Sequence, residues 1–383
     1  MDLFQIQNHE ENNVDKIESK MLEDETDLLH ETLSTVFPNG KSIKFDSHKH
    51  HVPVILLNML KELFEPVLNQ LSIELIAANG KTTNTDNVLA ELAKFNEAVA
   101  LFRRDNPKKQ LLLPKHWDQS TCTQQVAQKI TEIAKDLSVP YPKKLNQHYK
   151  GFSSETYGET MLEQIGSIVD ELKLNSSDVF VDLGSGIGQL VCFVAAYSKV
   201  KKAVGIELSS VPAEYAVSQG MYFKNLMTFF DKQHGEIELI QGDFLHPQFH
   251  DLICKEATVI FINNYAFEDD LTRRIVFELL QNCADGTRIV SAKPLSLPRS
   301  VASRRHAMSD FGSMSNSRTL RATESNVSWT SNIVEFTLTT VDHLKLFKSF
   351  EMQKESKKSA NSKVKKVGKD FTKTSLKNKK ESK

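Results

Sequence analysis

The chain has no two cysteines spaced for a shared metal or a disulfide framework. Cys122, Cys192, Cys254 and Cys283 stand singly, which excludes a clustered structural zinc site and fits reduced thiols in an intracellular protein. No run of 18 apolar residues is present, so no segment is long enough to cross a bilayer as a helix and no membrane partner is expected. The stretch Met1 to Glu25 is acidic and polar and lacks the basic-then-apolar layout of a signal peptide. Internal repeats are absent as well. Net charge is nearly missing: 48 Lys and Arg stand against 49 Asp and Glu, a balance of −1.

That near-neutrality conceals an asymmetry. Between Lys354 and Lys383 twelve lysines face only Glu355, Asp370 and Glu381, and Phe371 is the sole aromatic. Such a segment cannot bury enough apolar surface to fold alone, so a disordered tail is expected. Lysines at this density bind polyanions by counterion release, without reading sequence. Lys363-Val-Lys-Lys366 and Lys377-Asn-Lys-Lys380 also have the form of nuclear-import clusters. A purely solubilising tail is the plainer alternative. At 383 residues with 40% apolar content, the chain can build a sizeable core, and two units plus tails are expected.

What is present is concentrated in Val179-Phe-Val-Asp-Leu-Gly-Ser-Gly-Ile-Gly-Gln189. An apolar strand runs into Asp182, then into Gly184, Gly186 and Gly188, then into the apolar run Leu190 to Ala196. This is the order strand, tight turn, helix start, with glycines where backbone must approach a ligand. Gln189 occupies the place of the dinucleotide fingerprint's third glycine. A nicotinamide or flavin dinucleotide is thereby disfavoured, and S-adenosylmethionine is favoured.

Further strands follow, each ending in a polar group. Lys202-Ala-Val-Gly-Ile-Glu207 ends in a carboxylate, Glu236 to Phe244 in Asp243-Phe244, Thr258 to Asn264 in paired amides, and Arg288-Ile-Val-Ser291 in a serine. A helical pattern through Leu271, Ile275 and Leu279 separates the last two. In an open parallel sheet, ligands bind beyond the carboxyl ends of strands, so these tips are expected to converge on one crevice. Glu207 suits two ribose hydroxyls, Asp243 the adenine amino group with Phe244 stacked on the ring, and Asp182 the methionine ammonium.

The first half reads as helical. Val88, Leu92, Phe95, Val99 and Phe102 step by fours and threes up to Pro107, and Val126, Ile130, Ile133 and Leu137 do so up to Pro140. Leu56 to Leu71 reads as one more helix, and Met161, Ile165, Ile168 and Leu172 as an amphipathic helix before the glycine strand. The expected division is an acidic disordered N-terminus at 1–44, a helical domain with linker at 45–150, a catalytic domain at 151–350 and a Lys-rich tail at 351–383. His48, Lys49, His50 and His51 suggest a metal cluster at first sight. Adjacent residues cannot close a tetrahedral shell, and no cysteine or carboxylate is spaced to help; no metal is expected.

Leu145 to Thr160 is aromatic, polar and glycine-containing, and reads as a loop that folds over the cofactor mouth. Together, Asp182-Leu-Gly-Ser-Gly-Ile-Gly-Gln189, Tyr157-Gly-Glu-Thr160, Asn263-Asn-Tyr-Ala-Phe267, Lys293-Pro294 and Val327-Ser-Trp-Thr330 resemble the disruptor-of-telomeric-silencing histone methyltransferases. These non-SET enzymes methylate a lysine in the folded core of histone H3 on nucleosomes. The resemblance covers about Leu145 to Phe347, and more loosely the chain from about Phe45.

It implies an α/β fold of the class I S-adenosylmethionine-dependent methyltransferases: a Rossmann-like, mostly parallel seven-stranded sheet with a helical N-terminal domain and a basic C-terminal tail. It also implies roles. Tyr157, Gly158, Glu159 and Thr160, with Phe180, Val181, Asp182, Leu183, Gly184, Ser185, Gly186, Ile187, Gly188 and Gln189, would hold the methionine and ribose portions. Glu207 would hold the ribose, Asp243 and Phe244 the adenine, and Asn263 would sit at the reacting centre, in contact with the cofactor as well as serving the catalysis. Phe152, Tyr157, Trp329 and Phe336 would serve the catalytic slot that receives the lysine stem. Two positions depart from the family's pattern. Phe336 stands where tyrosine is usual, which removes a channel hydroxyl, and Lys150 stands where an acidic residue is usual.

The implied protein is a nuclear, monomeric histone H3 lysine methyltransferase that meets the nucleosome through its histone face and its DNA through the Lys-rich tail. Two other readings stay open: a nucleic-acid amino-group methyltransferase, since Asn263 to Phe267 faintly resembles the N-P-P-Y/F loop, and a catalytically weak chromatin-binding module, which Phe336 favours.

Overall fold

The computed structural model describes residues 30–78, 84–143, 145, 162–296, 311–320, 335–345, 347–348 and 351. The chain divides into two compact units, Met1–Pro140 with Met221–Gln233, and Tyr141–Gly220 with His234–Lys383.

The first unit opens with a hairpin that corrects the expected boundary at residue 44. β1 (His30–Leu33) and β2 (Ile43–Asp46) pair antiparallel, with Leu33 opposite Ile43. The connection buries Val36 and Phe37, so residues 30–46 fold onto the unit because these side chains leave water. Four helices follow: α1 (His51–Leu63), α2 (Glu65–Leu71), α3 (Thr85–Asp105) and α4 (Gln124–Ser138). The single helix expected over Leu56 to Leu71 is broken at Phe64. Pro66 sits at the start of α2, where its missing N–H costs nothing but forbids continuation from α1. Asn84 and Thr123 cap α3 and α4 by accepting from the Asp86 and Val126 amides.

The core of this unit is aromatic. Phe37 packs edge-on against Phe64 and Phe230, and Trp117 lies 4.5 Å from Phe230 between ring centroids. Lys232 is buried there at 7% exposure. Its ammonium donates to the carbonyls of Trp117 (2.7 Å) and Gln119 and sits 5.5 Å from the Phe37 ring centre. Burial lowers its pKa. Residues 221–233 were expected in the catalytic domain. They belong to the first unit because Phe223, Phe229 and Phe230 are fully buried and the latter two join this aromatic cluster.

The second unit contains α5 (Leu162–Leu172), β3 (Val179–Leu183), α6 (Gln189–Ser198), β4 (Lys202–Glu207), the start of α7 (Ser210–Phe229), β5 (Glu236–Gln241), β6 (Val259–Ile262), α8 (Asp269–Arg274), β7 (Arg288–Ser291), β8 (Ser315–Thr319) and β9 (Thr337–Val341). These strands form one seven-stranded sheet in the order β5-β4-β3-β6-β7-β9-β8. The first five are parallel, and β9 and β8 add antiparallel at one edge. The expected mostly parallel sheet is therefore present. After β5 the chain returns to the far side of β3, so the strand order reverses between β3 and β6, the usual place for a ligand crevice. The helix expected through Leu271 and Leu279 continues beyond α8 as a π-helical stretch, Ile275–Leu279.

Buried residues cover both sheet faces. Val181, Leu183, Val204, Ile206, Ile260, Ile262 and Ile289 point to one face, with Phe249, Ile275 and Leu279 packed on them. Alternation sends Asp182, Gly205, Glu207 and Phe261 to the other face, where α6 packs. At the amino ends of the strands the polar groups are closed among themselves. Asp178 accepts from Thr258 Oγ1 (2.7 Å), from the Asn175 amide (3.0 Å) and from Arg288, whose other nitrogen donates to the Leu172 carbonyl (2.8 Å).

Candidate active site

The turn after β3 is held from beneath: the Gly184 and Ser185 amides both donate to the Ile206 carbonyl of β4, at 2.9 and 3.2 Å. Gly184, Gly186 and Gly188 have φ of +85°, +56° and +77°, the left-handed region that a side chain disfavours. At Gly188 space is lacking as well, since a Cβ would stand 2.5 Å from Leu239 Cδ2. Gly205 on β4 serves the same turn. A Cβ there would meet Ser185 Oγ at 2.6 Å, so a residue inside a strand must be small for the loop above it to lie down.

Two carboxylates flank this turn. Glu207, 8% exposed, accepts the Gly186 amide on Oε2 and the Ser209 amide on Oε1, each at 2.8 Å. These bonds favour its ionised form and tie the end of β4 to the glycine turn. Asp182, 4% exposed, lies across from Gly205 in the β3–β4 register. Among the described residues no amide or cation is placed against its carboxylate. Burial, and then the nearby charge of Glu207, push its pKa up to about 8. A buried carboxyl without a donor among the described residues, beside one held by two backbone amides, fits a cationic ligand.

The other expected residues divide into three groups. Phe180, Val181, Leu183 and Ile187 are in the turn or strand, but their side chains are buried, leaving backbone as what they can offer a ligand. Ser185 and Gln189 are half-buried. Asp243 is exposed at the end of β5, where Oδ1 accepts the Leu245 amide at 2.9 Å. The neighbouring Gly242 amide donates to the Glu207 carbonyl at 2.8 Å. Phe244 is buried in the core with Leu245, Phe249 and Ile253. Asn263, half-buried, directly follows β6 and continues the alternation that puts Phe261 on the Asp182 face. Phe336 is 1% exposed and its ring centre lies 5.4 Å from that of Phe261, which places it on the same face. Phe152, Tyr157, Gly158, Glu159, Thr160, Trp329 and Lys150 lie outside the described residues.

Three further residues bear on the site: Phe261 was not singled out in the sequence, and Asn264 and Phe267 were quoted in a motif without a role of their own. Phe261 faces Asp182 in register and carries Phe336, but in an apolar strand it looks like any core residue. Phe267 brings its ring 3.4 Å from where a Gly184 Cβ would stand. Asn264, fully buried, accepts the Lys293 amide at 2.8 Å and donates to its carbonyl at 3.3 Å, locking the end of β6 to the chain after β7. Nothing in the pair Asn263-Asn264 tells which of the two amides locks the strand end.

The histidines near residue 50 are accounted for separately: His48 faces Asp46 at 3.4 Å, His50 bonds Thr85 at 2.6 Å and His51 the Leu137 carbonyl at 3.2 Å. Among the described residues no group of three His, Cys, Asp or Glu side chains is placed to hold a metal, and no helix is long and apolar enough to cross a membrane.

A reversing parallel sheet with an antiparallel edge, a glycine turn after its central strand and an acidic residue at the tip of the next one define the class I S-adenosylmethionine-dependent methyltransferase fold. The model of the family described as "Histone methylation protein DOT1" matches residues 136–341, more than half of the chain, and the protein belongs to that family. It is similar to a histone-lysine N-methyltransferase, H3 lysine-79 specific, of Caenorhabditis elegans, with 46% identity over 84% of this chain and 34% of the relative. A protein of the same description from Drosophila melanogaster is 33% identical over 59% of this chain and 12% of the relative. The chain thus spans about a third and about an eighth of these relatives' lengths.

Proposed function

We propose that this protein is a histone-lysine N-methyltransferase that moves a methyl group from S-adenosylmethionine to lysine 79 of histone H3 in the nucleosome. The observation that supports this reading is that Asp182, Glu207, Asp243 and Asn263 stand at the carboxyl ends of the neighbouring strands β3, β4, β5 and β6, with the glycine turn following β3, in a chain of this family.

Glu207, already oriented by two backbone amides, would hold the ribose hydroxyls. Asp243 would accept from the adenine amino group, and Asp182 would face the ligand's ammonium. Phe244, buried with its neighbours, would offer adenine an edge of the core. The cofactor supplies an electrophilic methyl on a cationic sulfur. The chain's task is to present an uncharged amine to it. A free lysine has a pKa of about 10.4, so at neutral pH almost none is deprotonated. An apolar wall such as Phe261 and Phe336 penalises the ammonium by desolvation and lowers that value. Phe152, Tyr157 and Trp329 are assigned to the same slot by the family resemblance. The Asn263 carbonyl accepts from the amine and aims it, and alignment in a water-poor slot supplies most of the acceleration. The missing hydroxyl at Phe336 leaves this work to Asn263.

In the same reading the protein is nuclear, works as a monomer and is held beside the histone face by the Lys-rich tail on DNA phosphates. The test is methyl transfer read by mass spectrometry, offering nucleosomes, free histones, bare DNA and RNA side by side. Methylation of lysine 79 of H3 on nucleosomes is the expected result. Transfer to a nucleic acid instead would replace the reading with an amino-group methyltransferase of that class, and cofactor binding without transfer to any of the four would replace it with a chromatin-binding module.

A further inference from the structure

We propose that Asp182 carries a proton while the site is empty and surrenders it to solvent when a ligand bearing an ammonium group binds, so that cofactor binding is a proton-releasing step. The inference rests on the cofactor reading above and concerns how that same site is regulated.

The geometry separates two neighbouring carboxyls. Glu207 is charged at little cost, because each of its oxygens accepts a backbone N–H at 2.8 Å. Asp182 has no such compensation. It is buried at 4% exposure, it sits one strand away from Glu207 on the same sheet face, and no donor among the described residues approaches it. Among the described residues the groups packed round it bring no positive charge: β4 contributes Gly205 and Glu207, β6 contributes Phe261 and then Asn263, the turn contributes glycines and Ser185, and α6 on the same face carries no charged residue. Two like charges so close in a site shielded from water disfavour each other, so one proton is retained, and it resides on the carboxyl without N–H partners. Burial first and Glu207 second raise the Asp182 pKa to about 8. An ammonium brought against Asp182 reverses the balance. The O–H bond of the carboxylic acid breaks, its proton passes to the buffer, and the carboxylate pairs with the ligand's cation. Adenosyl ligands without the amino-acid part have nothing to trigger the release.

The experiment is titration calorimetry of the intact chain with S-adenosylhomocysteine at pH 6.5, where the ligand's α-amino group is already protonated, since even a peptide α-amino group has a pKa of about 7.7–8.0 and a free amino acid's is higher. It is run in phosphate and in imidazole, whose ionisation enthalpies differ. The expected result is a buffer-dependent heat equivalent to about one proton released per ligand, with the apparent affinity tightening by up to about tenfold from pH 6.5 to 7.5. 5′-Methylthioadenosine, which has no ammonium, is expected to bind with the same heat in both buffers. An Asp182→Asn variant is expected to bind S-adenosylhomocysteine more weakly and without buffer dependence. Equal heats for S-adenosylhomocysteine in the two buffers would overturn the proposal while leaving the cofactor reading intact. A proton released equally by 5′-methylthioadenosine would overturn it by placing the titrating group elsewhere. No binding of either ligand would remove the cofactor reading and this inference together. The wild-type series decides the matter even where the variant does not fold.

Discussion

Asp178 and Asp182 lie at opposite ends of one strand, both buried to about the same degree, at 5% and 4% exposure. At the amino end, Asp178 is saturated: a guanidinium, a threonine hydroxyl and a backbone amide converge on it. At the carboxyl end, the Asp182 carboxyl meets the Glu207 carboxylate and, among the described residues, no cation. The first arrangement fastens β3, β6 and β7 together before they diverge. The second is costly to the empty fold and makes sense only if something outside the chain completes it. A buried carboxyl satisfied from within marks structure, and a buried carboxyl left without a donor marks function.

Several experiments can sharpen that contrast or break it. The largest effect is expected at the open end. Asn263→Ala should lower methyl transfer by about 10²–10³-fold, the scale of losing one aligned polar group at a reacting centre, with thermal stability and cofactor affinity nearly unchanged. Comparable turnover would remove Asn263 from the chemistry. At the closed end, Asp178→Asn should cost about 3 kcal/mol of folding stability, the low end for breaking a buried pair, measured by urea denaturation, while the folded fraction keeps normal cofactor affinity.

The same substitution at the other end should change sign. The folded pKa of Asp182 is about 8 against an unfolded value of about 3.9, so between these values the native state binds more protons than the unfolded chain. Its contribution to stability is present at low pH and is lost as pH rises toward 8. Asp182→Asn should therefore raise the melting temperature of the ligand-free protein at pH 8 and leave it little changed at pH 4. A destabilised variant at pH 8 would mean that Asp182 is satisfied after all, and the contrast between the two strand ends would fall.

Gly188→Ala is expected to cost about 1–3 kcal/mol, from the left-handed backbone and the collision with Leu239, and to weaken cofactor binding because the turn must shift. A denaturation midpoint equal to wild type would show that Leu239 yields freely. The smallest effect should come from outside both ends of the sheet. Removal of Lys354 to Lys383 should leave transfer to free histones unaltered and flatten the salt dependence of nucleosome binding; an unchanged slope would deny the tail that role.

Much of this was legible beforehand. The strands at 202–207 and 288–291 occupy the bounds read from their apolar runs, because a buried parallel strand needs a short unbroken apolar segment and little else does. The helices ending before Pro107 and Pro140 were marked by periodicity and a terminating proline. The break at Phe64 was obscured because apolar residues continue on both sides of it, and only Pro66 signalled the change. The hairpin at residues 30–46 was lost in an acidic context, its burial resting on a few residues such as Leu33 and Phe37. Residues 221–233 continue a helix begun in the catalytic unit, and periodicity cannot say which core a helix enters.

By itself, the sequence determined the parallel α/β sheet, the glycine turn and the list of polar strand tips, because each is written in local spacing: period two, glycine at left-handed positions, a carboxylate after an apolar run. Tertiary structure alone decided which of those tips are satisfied. Asn264 is spent on Lys293, Glu207 on two amides, and Asp178 on an arginine 110 residues away, while Asp182 is left facing Glu207. Hydrogen bonds and burial are set by neighbours distant in the chain, and the protonation state of a carboxyl depends on both.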